Sequence, residues 1–227
     1  MSIHKHRVWD GPTRVFHWAL AVAIVALIVS GNIGGNAMVW HMRAGYLVLS
    51  LLMFRVVWGF VGGHWSRFSQ FRLSPAGVVR YLRGNQSTRD SDILGHSPTG
   101  SWSVVGLLAV VGAQATAGLF SDDDIATAGP LAAHAPSAIV DAAGAYHTGP
   151  GKLLIIALVA LHLGAIVFYA FKRKRNLLPA MLHGDHVGAS AIDAPASRDG
   201  LWVWLSGAAV WVLCAALVAW GVARFGG

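Results

Sequence analysis

Residues 151–171 read GKLLIIALVALHLGAIVFYAF, and this apolar run decides the fold class. A helix rises about 1.5 Å per residue, so a run of about 20 residues crosses the bilayer's hydrocarbon core, which is roughly 30 Å thick. The run has one charged residue, Lys152 at its start, and one histidine, His162, near its middle. Ionisable side chains are rare at such depth and mark functional sites by default. We therefore expect a membrane-spanning helix with a functional histidine.

The other apolar blocks predict an all-α integral membrane protein. Only 12% of the residues are charged, against about 25% in soluble domains. The net charge of +7 does not indicate a nucleic-acid partner, because the basic residues lie between apolar blocks and instead report membrane topology. The single cysteine, Cys214, excludes an intrachain disulfide and a covalent C-x-x-C-H haem site. The predicted spans are residues 15–31, 40–61, 101–120, 151–171 and 201–222.

Basic clusters fall on one side of these spans. They precede the first span, follow the second and follow the fourth, whereas four aspartates lie between the third and fourth spans. By the positive-inside rule, the N-terminus is cytoplasmic and the C-terminus lies outside. We expect a multi-pass protein of a bacterial inner membrane, with the first span retained rather than cleaved as a signal peptide. The clusters are Lys5, Arg7 and Arg14; Arg67, Arg72, Arg80, Arg83 and Arg89; and Lys172, Arg173, Lys174 and Arg175, and the aspartates are Asp122, Asp123, Asp124 and Asp141.

The first four spans are predicted to form one domain, residues 1–184. Residues 185–200 are rich in small side chains and include a proline, which indicates a flexible linker, and residues 201–227 form an additional membrane helix with a short tail. Within the first domain, Ser74 followed by Pro75 is typical of a helix N-terminus. The mixed apolar and basic residues up to Arg83 predict a short helix on the cytoplasmic membrane surface.

Four histidines fall at two predicted depths. His17 begins the first span and His162 lies in the fourth, both toward the cytoplasm, whereas His41 begins the second span and His147 precedes the fourth, both near the outer surface. If the fourth helix reaches back to His147, its two histidines lie about 22 Å apart and about 60° apart around the axis. Two imidazole pairs on different helices suit two six-coordinate haems. We predict one haem b between His17 and His162 and another between His41 and His147, both non-covalent.

Nearby residues extend the two predicted haem sites. Arg14 and Arg55 lie near the cytoplasmic depth and are candidates for the propionates of the haem there, and Arg43 is the candidate for the outer haem. Gly45 lies one turn after His41 and removes a side chain where a porphyrin edge can pass. Three glycines of the third span allow close helix approach. They are Gly106, Gly112 and Gly118.

Each of these residues also has a simpler interpretation. A histidine near a helix end is often a polar interface residue, and a mid-span histidine can make a helix–helix hydrogen bond. Arg14 and Arg43 can be boundary charges, and Arg55 can extend its side chain to the membrane surface. The remaining histidines fall in tails or loops and are interpreted as solvated, with His183 and His186 a weak candidate for a surface metal site. The agreement in depth among four histidines favours haem binding.

The chain resembles the bacterial cytochrome b561 group, which includes the cytochrome b subunit of nickel–iron hydrogenases. The resemblance spans most of residues 8–184 and rests on VWD at 8–10, TRVFHW at 13–18, NAMVWH at 36–41, LHL at 161–163 and KRKR at 172–175. It implies a four-helix haem-binding bundle, often with an added helix. It also implies axial ligation by one histidine of the first span, one of the second and two of the fourth, which correspond to His17, His41, His147 and His162.

Three functions are compatible with the sequence. The first is a dihaem b-type cytochrome that transfers electrons between membrane quinone (ubiquinone or menaquinone) and an outer redox partner, either a periplasmic c-type cytochrome or a hydrogenase-like subunit. The second is oxidation of a small substrate such as superoxide with reduction of quinone. The third is a non-redox transporter whose histidines bind metal or relay protons, but the spans lack acidic residues and show no repeat. The aspartates Asp122 to Asp124 are a candidate docking site for a basic cytochrome c.

Overall fold

The computed structural model describes residues 4–83, 94–188 and 194–226, and these residues are mostly helical. The prediction of an all-α membrane bundle with a fifth C-terminal membrane helix is confirmed. Arg89 and residues 189–193 of the predicted linker lie outside the described residues. The helices are α1 (Gly11–Ile33), α2 (Met38–Val61), α3 (Pro75–Leu82), α4 (Pro98–Phe120), α5 (Ser137–Thr148), α6 (Pro150–Phe171), α7 (Leu178–His183) and α8 (Leu201–Phe225), and the strands are β1 (His4–Arg7) and β2 (Asp185–Gly188).

Among the described residues, five helical stretches are long and apolar enough to cross a membrane. Large apolar side chains on them are exposed: Leu161 is 69% exposed, Phe171 72% and Trp202 82%. Contiguous apolar surface of this kind is unfavourable in water and favourable in lipid. The protein is therefore a multi-pass membrane protein. The stretches are Gly11–Ile33, Gly35–Val61, Pro98–Phe120, Ser137–Phe171 and Leu201–Phe225.

The fourth stretch is broken in its N-terminal half. The predicted depths require one continuous helix from His147 to His162, but α5 ends at Thr148 and α6 begins at Pro150. Gly149 between them has non-helical dihedral angles, φ −106° and ψ −104°. A residue before proline is disfavoured in the helical region, and proline is favoured at the first position of a helix. The continuous helix on which the predicted rise and rotation depended is therefore absent.

The short helix predicted after Ser74 is present as α3, whereas its position on the membrane surface stays a prediction. Ser74 caps it, since its Oγ accepts a hydrogen bond from the backbone N–H of Gly77 at 3.3 Å, and Pro75 is its first residue. The hydroxyl of Tyr81 in α3 lies 2.5 Å from the hydroxyl of Tyr169 in α6. Burial and this hydrogen bond raise the pKa of Tyr81 to about 12. The short helix is thus attached to α6 by this hydrogen bond.

The chain forms two compact units, each built from three separate segments of the sequence. The first unit consists of Met1–Val15, Arg55–Gly106 and Ala160–Ala209, and the second of Phe16–Phe54, Leu107–Val159 and Val210–Gly227. The second unit has a core of buried apolar side chains contributed by four helices. These side chains are Ala23, Val48, Leu52, Val111 and Ile155.

Asp10 is the polar centre of the first unit. It is fully buried, and its carboxylate accepts hydrogen bonds from the indole N–H of Trp58, the backbone N–H groups of Thr13 and Gly63, and the hydroxyl of Ser66, at 2.7 to 3.1 Å. The bond from Thr13 also caps the first turn of α1. A buried carboxylate is tolerated only when its oxygens are satisfied in this way.

The predicted linker is held in place at both described ends. Residues 185–188 form β2, which pairs antiparallel with β1. Further along, Ser197 is buried, its hydroxyl donates to the carbonyl of Val8 at 2.6 Å, and Asp199 accepts from the backbone N–H of Gly11 at 2.7 Å. These contacts hold the described parts of the segment against the start of the chain, so those parts are not a flexible tether.

Candidate functional site

Two of the four predicted ligands, His41 and His147, face each other within the second unit. Their ring centroids are 6.0 Å apart and the ring planes are nearly perpendicular, at 85°. A metal ion binds an imidazole nitrogen at about 2 Å, so two axial imidazoles on one ion have ring centres about 6 Å apart. The spacing therefore fits a single iron between the two rings.

Backbone carbonyls orient both rings in the same way. The Nδ1–H of His41 in α2 donates to the carbonyl of Leu27 in α1 at 3.1 Å. The Nδ1–H of His147 in α5 donates to the carbonyl of Gln114 in α4 at 2.9 Å. A hydrogen bond at Nδ1 fixes the tautomer and leaves Nε2 as the metal-binding nitrogen. The α1–α2 pair and the α4–α5 pair therefore each hold one imidazole in the tautomer that can bind iron through Nε2.

Two glycines make room for these rings. A Cβ added at Gly31 would lie 3.1 Å from the ring of His41, and one added at Gly118 would lie 2.9 Å from the ring of His147. A larger side chain at either position would displace the imidazole. Gly118 thus allows the close helix approach expected for it, whereas a Cβ at Gly106 or Gly112 would meet nothing within 4 Å.

A cavity of about 580 Å³ surrounds the two histidines. Cofactor-sized ligands occupy sites of about 300–1,000 Å³. Gly45 lines this cavity, and a Cβ there would meet no atom within 4 Å, so the space above it is open. The residues present fit a haem held by His41 and His147. Among the described residues no cluster of three or more histidine, cysteine or acidic side chains is arranged to hold a metal ion, which distinguishes this pair from a tetrahedral metal cage.

The side of the cavity formed by the α4–α5 connection is acidic. Asp122, Asp123, Asp124 and Asp141 line it. The carboxylate of Asp123 accepts from the backbone N–H groups of Ile125, Ala126 and Thr127 at 2.8 to 3.0 Å, and these bonds lower the pKa of Asp123 to about 2. The negative charge at this position therefore persists at any physiological pH.

Arg43 does not lie in this cavity. Its side chain is exposed, and its guanidinium stacks over the ring of Trp40 at 5.1 Å. The residue before Arg43 lines the cavity. Consecutive helical residues point about 100° apart, so the side chain of Arg43 points away from it. The structure thus gives no contact that supports Arg43 as a propionate partner.

The other predicted pair is divided between the two units. His17 lies in α1 in the second unit, is half-buried, and its ring meets the ring of Trp18 edge-on at 5.1 Å. His162 lies in α6 in the first unit and is also half-buried. Their shared ligation of an iron stays a prediction.

Arg55 of the first unit has an unsatisfied buried nitrogen. The residue is only 3% exposed, and its guanidinium stacks on Phe68 at 4.7 Å and on Phe71 at 6.0 Å. Its Nη1 has no hydrogen-bond partner among the described residues. An unpaired buried cationic donor is costly unless an anion binds it. A haem propionate would supply that anion, and Arg55 does not reach the surface as the simpler interpretation required.

Arg14 has protein partners instead. Its Nη2 pairs with the carboxylate of Asp199 at 2.7 Å and its Nη1 donates to the carbonyl of Leu182 at 3.0 Å. Arg7 shares Asp199 and also pairs with Asp185 at 2.6 Å. The structure therefore places Arg14 in the ion-pair cluster that holds the end of the linker. Its buried Nε has no hydrogen-bond partner among the described residues, and its role toward haem stays a prediction.

Sequence reasoning missed three residues. Gln114 contributes its carbonyl to His147, and its side-chain amide also donates to the carbonyl of His147 at 2.8 Å. Asp10 was quoted only as part of a motif, although it organises the first unit. His96, interpreted as solvated, lies between the rings of Trp9 at 4.7 Å and Phe71 at 4.9 Å. Desolvation and the nearby charge of Arg55 lower the pKa of His96 to about 3.

The helical membrane fold and the opposed histidines define the class of membrane cytochromes that hold haem between helices. Within that class, the chain belongs to the prokaryotic cytochrome b561 family, whose profile matches residues 8–184. The protein is thus a membrane protein of a family of b-type cytochromes.

Two curated relatives match a limited part of the chain. They carry the name probable Ni/Fe-hydrogenase 1 B-type cytochrome subunit and come from Escherichia coli strain K12 and Escherichia coli O157:H7. Each is 26% identical over 83 residues, which are 29% of this chain and 35% of the relative. The chain therefore spans about a third of the length of these relatives. No solved structure matches the chain significantly.

Proposed function

We propose that the protein is a dihaem cytochrome b of a bacterial inner membrane, which passes electrons between quinone and a redox partner on the outer side. One haem would lie between His41 and His147 and the other between His17 and His162. The observation that carries the proposal is the opposed pair of His41 and His147, with each Nδ1 bonded to a carbonyl and a haem-sized cavity around the rings.

The bound haem supplies one-electron redox chemistry. His41 and His147 would both hold the haem iron, and ligation by two imidazoles favours electron transfer over catalysis at the metal. The carbonyls of Leu27 and Gln114 hold the Nδ1 protons and so keep both imidazoles in the ligating tautomer. The apolar side chains of the second unit exclude water from the inner part of the cavity, which helps to set the redox potential.

The acidic rim of the cavity favours a cationic partner. Four aspartates at the rim would attract a basic c-type cytochrome and repel superoxide, so the second function weighed above is disfavoured on charge. A hydrogenase-like subunit is the alternative partner, because the two Escherichia coli relatives are named as hydrogenase cytochrome subunits.

Haem counting in histidine variants tests the proposal. The purified protein should contain two haems per chain, measured as the pyridine haemochrome. His41→Ala and His147→Ala should each remove the same haem, and the double variant should remove no more. His17→Ala and His162→Ala should remove the other haem. His134→Ala is the control in the second unit, because His134 packs on Phe225. One haem or none in the unaltered protein would contradict the proposal.

Partner choice needs a separate measurement. Reduced protein should be reoxidised by a basic c-type cytochrome at a rate that falls with rising ionic strength, because salt screens charges separated by more than a Debye length. Replacing Asp122, Asp123 and Asp124 with Asn should lower that rate and flatten its salt dependence. An unchanged rate and salt dependence would exclude docking at this rim.

A further inference from the structure

The cavity around His41 and His147 has an apolar end and a polar end. Val48 and Val111 line it about ten residues into their helices, or roughly 15 Å from the helix ends. Asn32, Thr127 and Lys152 line it near helix ends or in the α4–α5 connection. Haem has the same asymmetry, since its vinyl edge is apolar and its two propionates are anionic. The polar end is therefore where propionates would lie.

The charges at that polar end are mostly of the wrong sign for propionates. Four aspartates line it, and Asp123 stays ionised because its pKa is about 2. Two carboxylates placed beside these aspartates would be repelled unless a cation intervened. Lys152 is the only lysine or arginine among the described residues that line the cavity.

The position of Lys152 suits an anion. It is the third residue of α6, so it lies in the first turn, where the helix dipole and the unpaired backbone N–H groups favour negative charge. It is half-buried, which strengthens a charge-assisted hydrogen bond relative to one at an open surface. Arg43, the candidate from sequence, is exposed and stacked on Trp40 instead.

We propose that Lys152 binds a propionate of the haem held by His41 and His147, an inference that rests on the function proposed above. The ammonium group offsets the charge of the propionate within an otherwise acidic end of the cavity. It also stabilises the reduced haem relative to the oxidised haem, which carries one more positive charge. Lys152 therefore raises the redox potential of this haem.

The test is a redox titration of the intact dihaem protein with Lys152 replaced. Lys152→Gln should shift the redox equilibrium of one haem toward the oxidised form by about three- to tenfold, a tenfold shift being 59 mV for one electron. Lys152→Arg should restore most of the potential. Arg224→Gln is the matched control, because it removes a positive charge from an exposed residue of the same unit, near the end of α8. It should leave both potentials unchanged.

A second readout is independent of electron transfer. The propionate bending band in the resonance Raman spectrum reports hydrogen bonding to the carboxylates, and it should shift in Lys152→Gln and, by a smaller amount, in Lys152→Arg. If Lys152→Gln cannot be isolated, the Raman band of Lys152→Arg decides, and an unchanged band overturns the proposal. A potential that moves in Arg43→Gln but not in Lys152→Gln also overturns it. These outcomes leave the dihaem function intact, whereas absence of haem at His41 and His147 in the unaltered protein would overturn both.

Discussion

The two units use histidine in opposite ways. In the second unit, His41 and His147 are oriented by carbonyls, and open space lies around their rings. In the first unit, His96 is enclosed by Trp9 and Phe71 and is held neutral. The difference shows that burial alone does not make a histidine a ligand. A ring is available to a metal when one nitrogen is bonded and the other faces a cavity.

Charged groups show a similar contrast. The first unit holds its described aspartates in internal contacts: Asp10 accepts four hydrogen bonds, Asp185 pairs with Arg7, and Asp199 joins Arg7 and Arg14. The second unit leaves its acidic loop exposed at the cavity. The first unit therefore relies on polar contacts for stability, whereas the second keeps its charges available to a ligand or a partner. Four variants test this contrast.

The largest expected effect is that of Asp10→Ala in the first unit. The substitution leaves the donors of Trp58, Thr13, Gly63 and Ser66 buried without their acceptor, which should lower the free energy of unfolding by about 3–5 kcal/mol. Denaturant titration in detergent, followed by tryptophan fluorescence, measures this. Asp141→Ala, an exposed carboxylate of the second unit, is the control. Equal losses in the two variants would remove the proposed contrast.

Gly118→Ala should weaken the second unit's haem site. Its Cβ would press on the ring of His147 at 2.9 Å, and overpacking of this kind costs about 1–3 kcal/mol. We expect partial loss of one haem, measured by haem-to-protein ratio. Gly112→Ala in the same helix is the matched control, because a Cβ there meets nothing within 4 Å. If both variants retain full haem, the close packing around His147 is not required for binding.

His96→Phe should change the acid stability of the protein. The pKa of His96 is about 3 in the folded protein, below its ordinary value of about 6.5. The unfolded chain therefore takes up a proton that the folded protein excludes, and stability falls as the pH drops from about 6.5 toward 3. The variant should lose this part of the pH dependence in thermal unfolding between pH 7 and pH 4. An unaltered slope would show that His96 is solvated after all.

Gln114→Leu should have the smallest effect. The carbonyl of Gln114 still accepts from His147, but the side-chain bond to the carbonyl of His147 is lost. A single hydrogen bond of this kind contributes about 1 kcal/mol. We expect two haems to remain, with a change in the electron paramagnetic resonance g-values of one, because these report the orientation of axial imidazoles. Ser121→Ala, which removes only a hydrogen bond from the residue after α4 to the carbonyl of Ala117, should leave the spectrum unchanged.

The membrane helices and the candidate ligands could be predicted because both leave local patterns. Bilayer thickness imposes a run of about 20 apolar residues, and a histidine within or beside such a run stands out. The network around Asp10 could not be predicted in this way, because Trp58 and Ser66 lie 48 and 56 residues away in sequence. From the sequence, Lys152 is only a charged residue at the start of the fourth span. Its position in the cavity could not be predicted, because it depends on how four helices pack.

The Gly149–Pro150 pair indicates the break between α5 and α6, whereas the predicted depths of His147 and His162 rested on a continuous helix. Proline and the residue before it restrict the backbone locally, so this error was avoidable from the sequence. The role of His96 could not be predicted from the sequence, because nothing in its neighbouring residues shows that it lies between Trp9 and Phe71. The distinction is between constraints that act within a few residues and those that arise on folding.

The interruption at Gly149 also determines how an inserted residue would affect the positions of His147 and His162. Inserting one residue into α5 would rotate His147 by about 100° about the axis of that helix, while the register of His162 within α6 would stay the same. The two candidate ligands can therefore be adjusted by separate mutations, although they are neighbours in one membrane crossing. A continuous helix would have coupled them, so that any insertion improving one position would have misplaced the other.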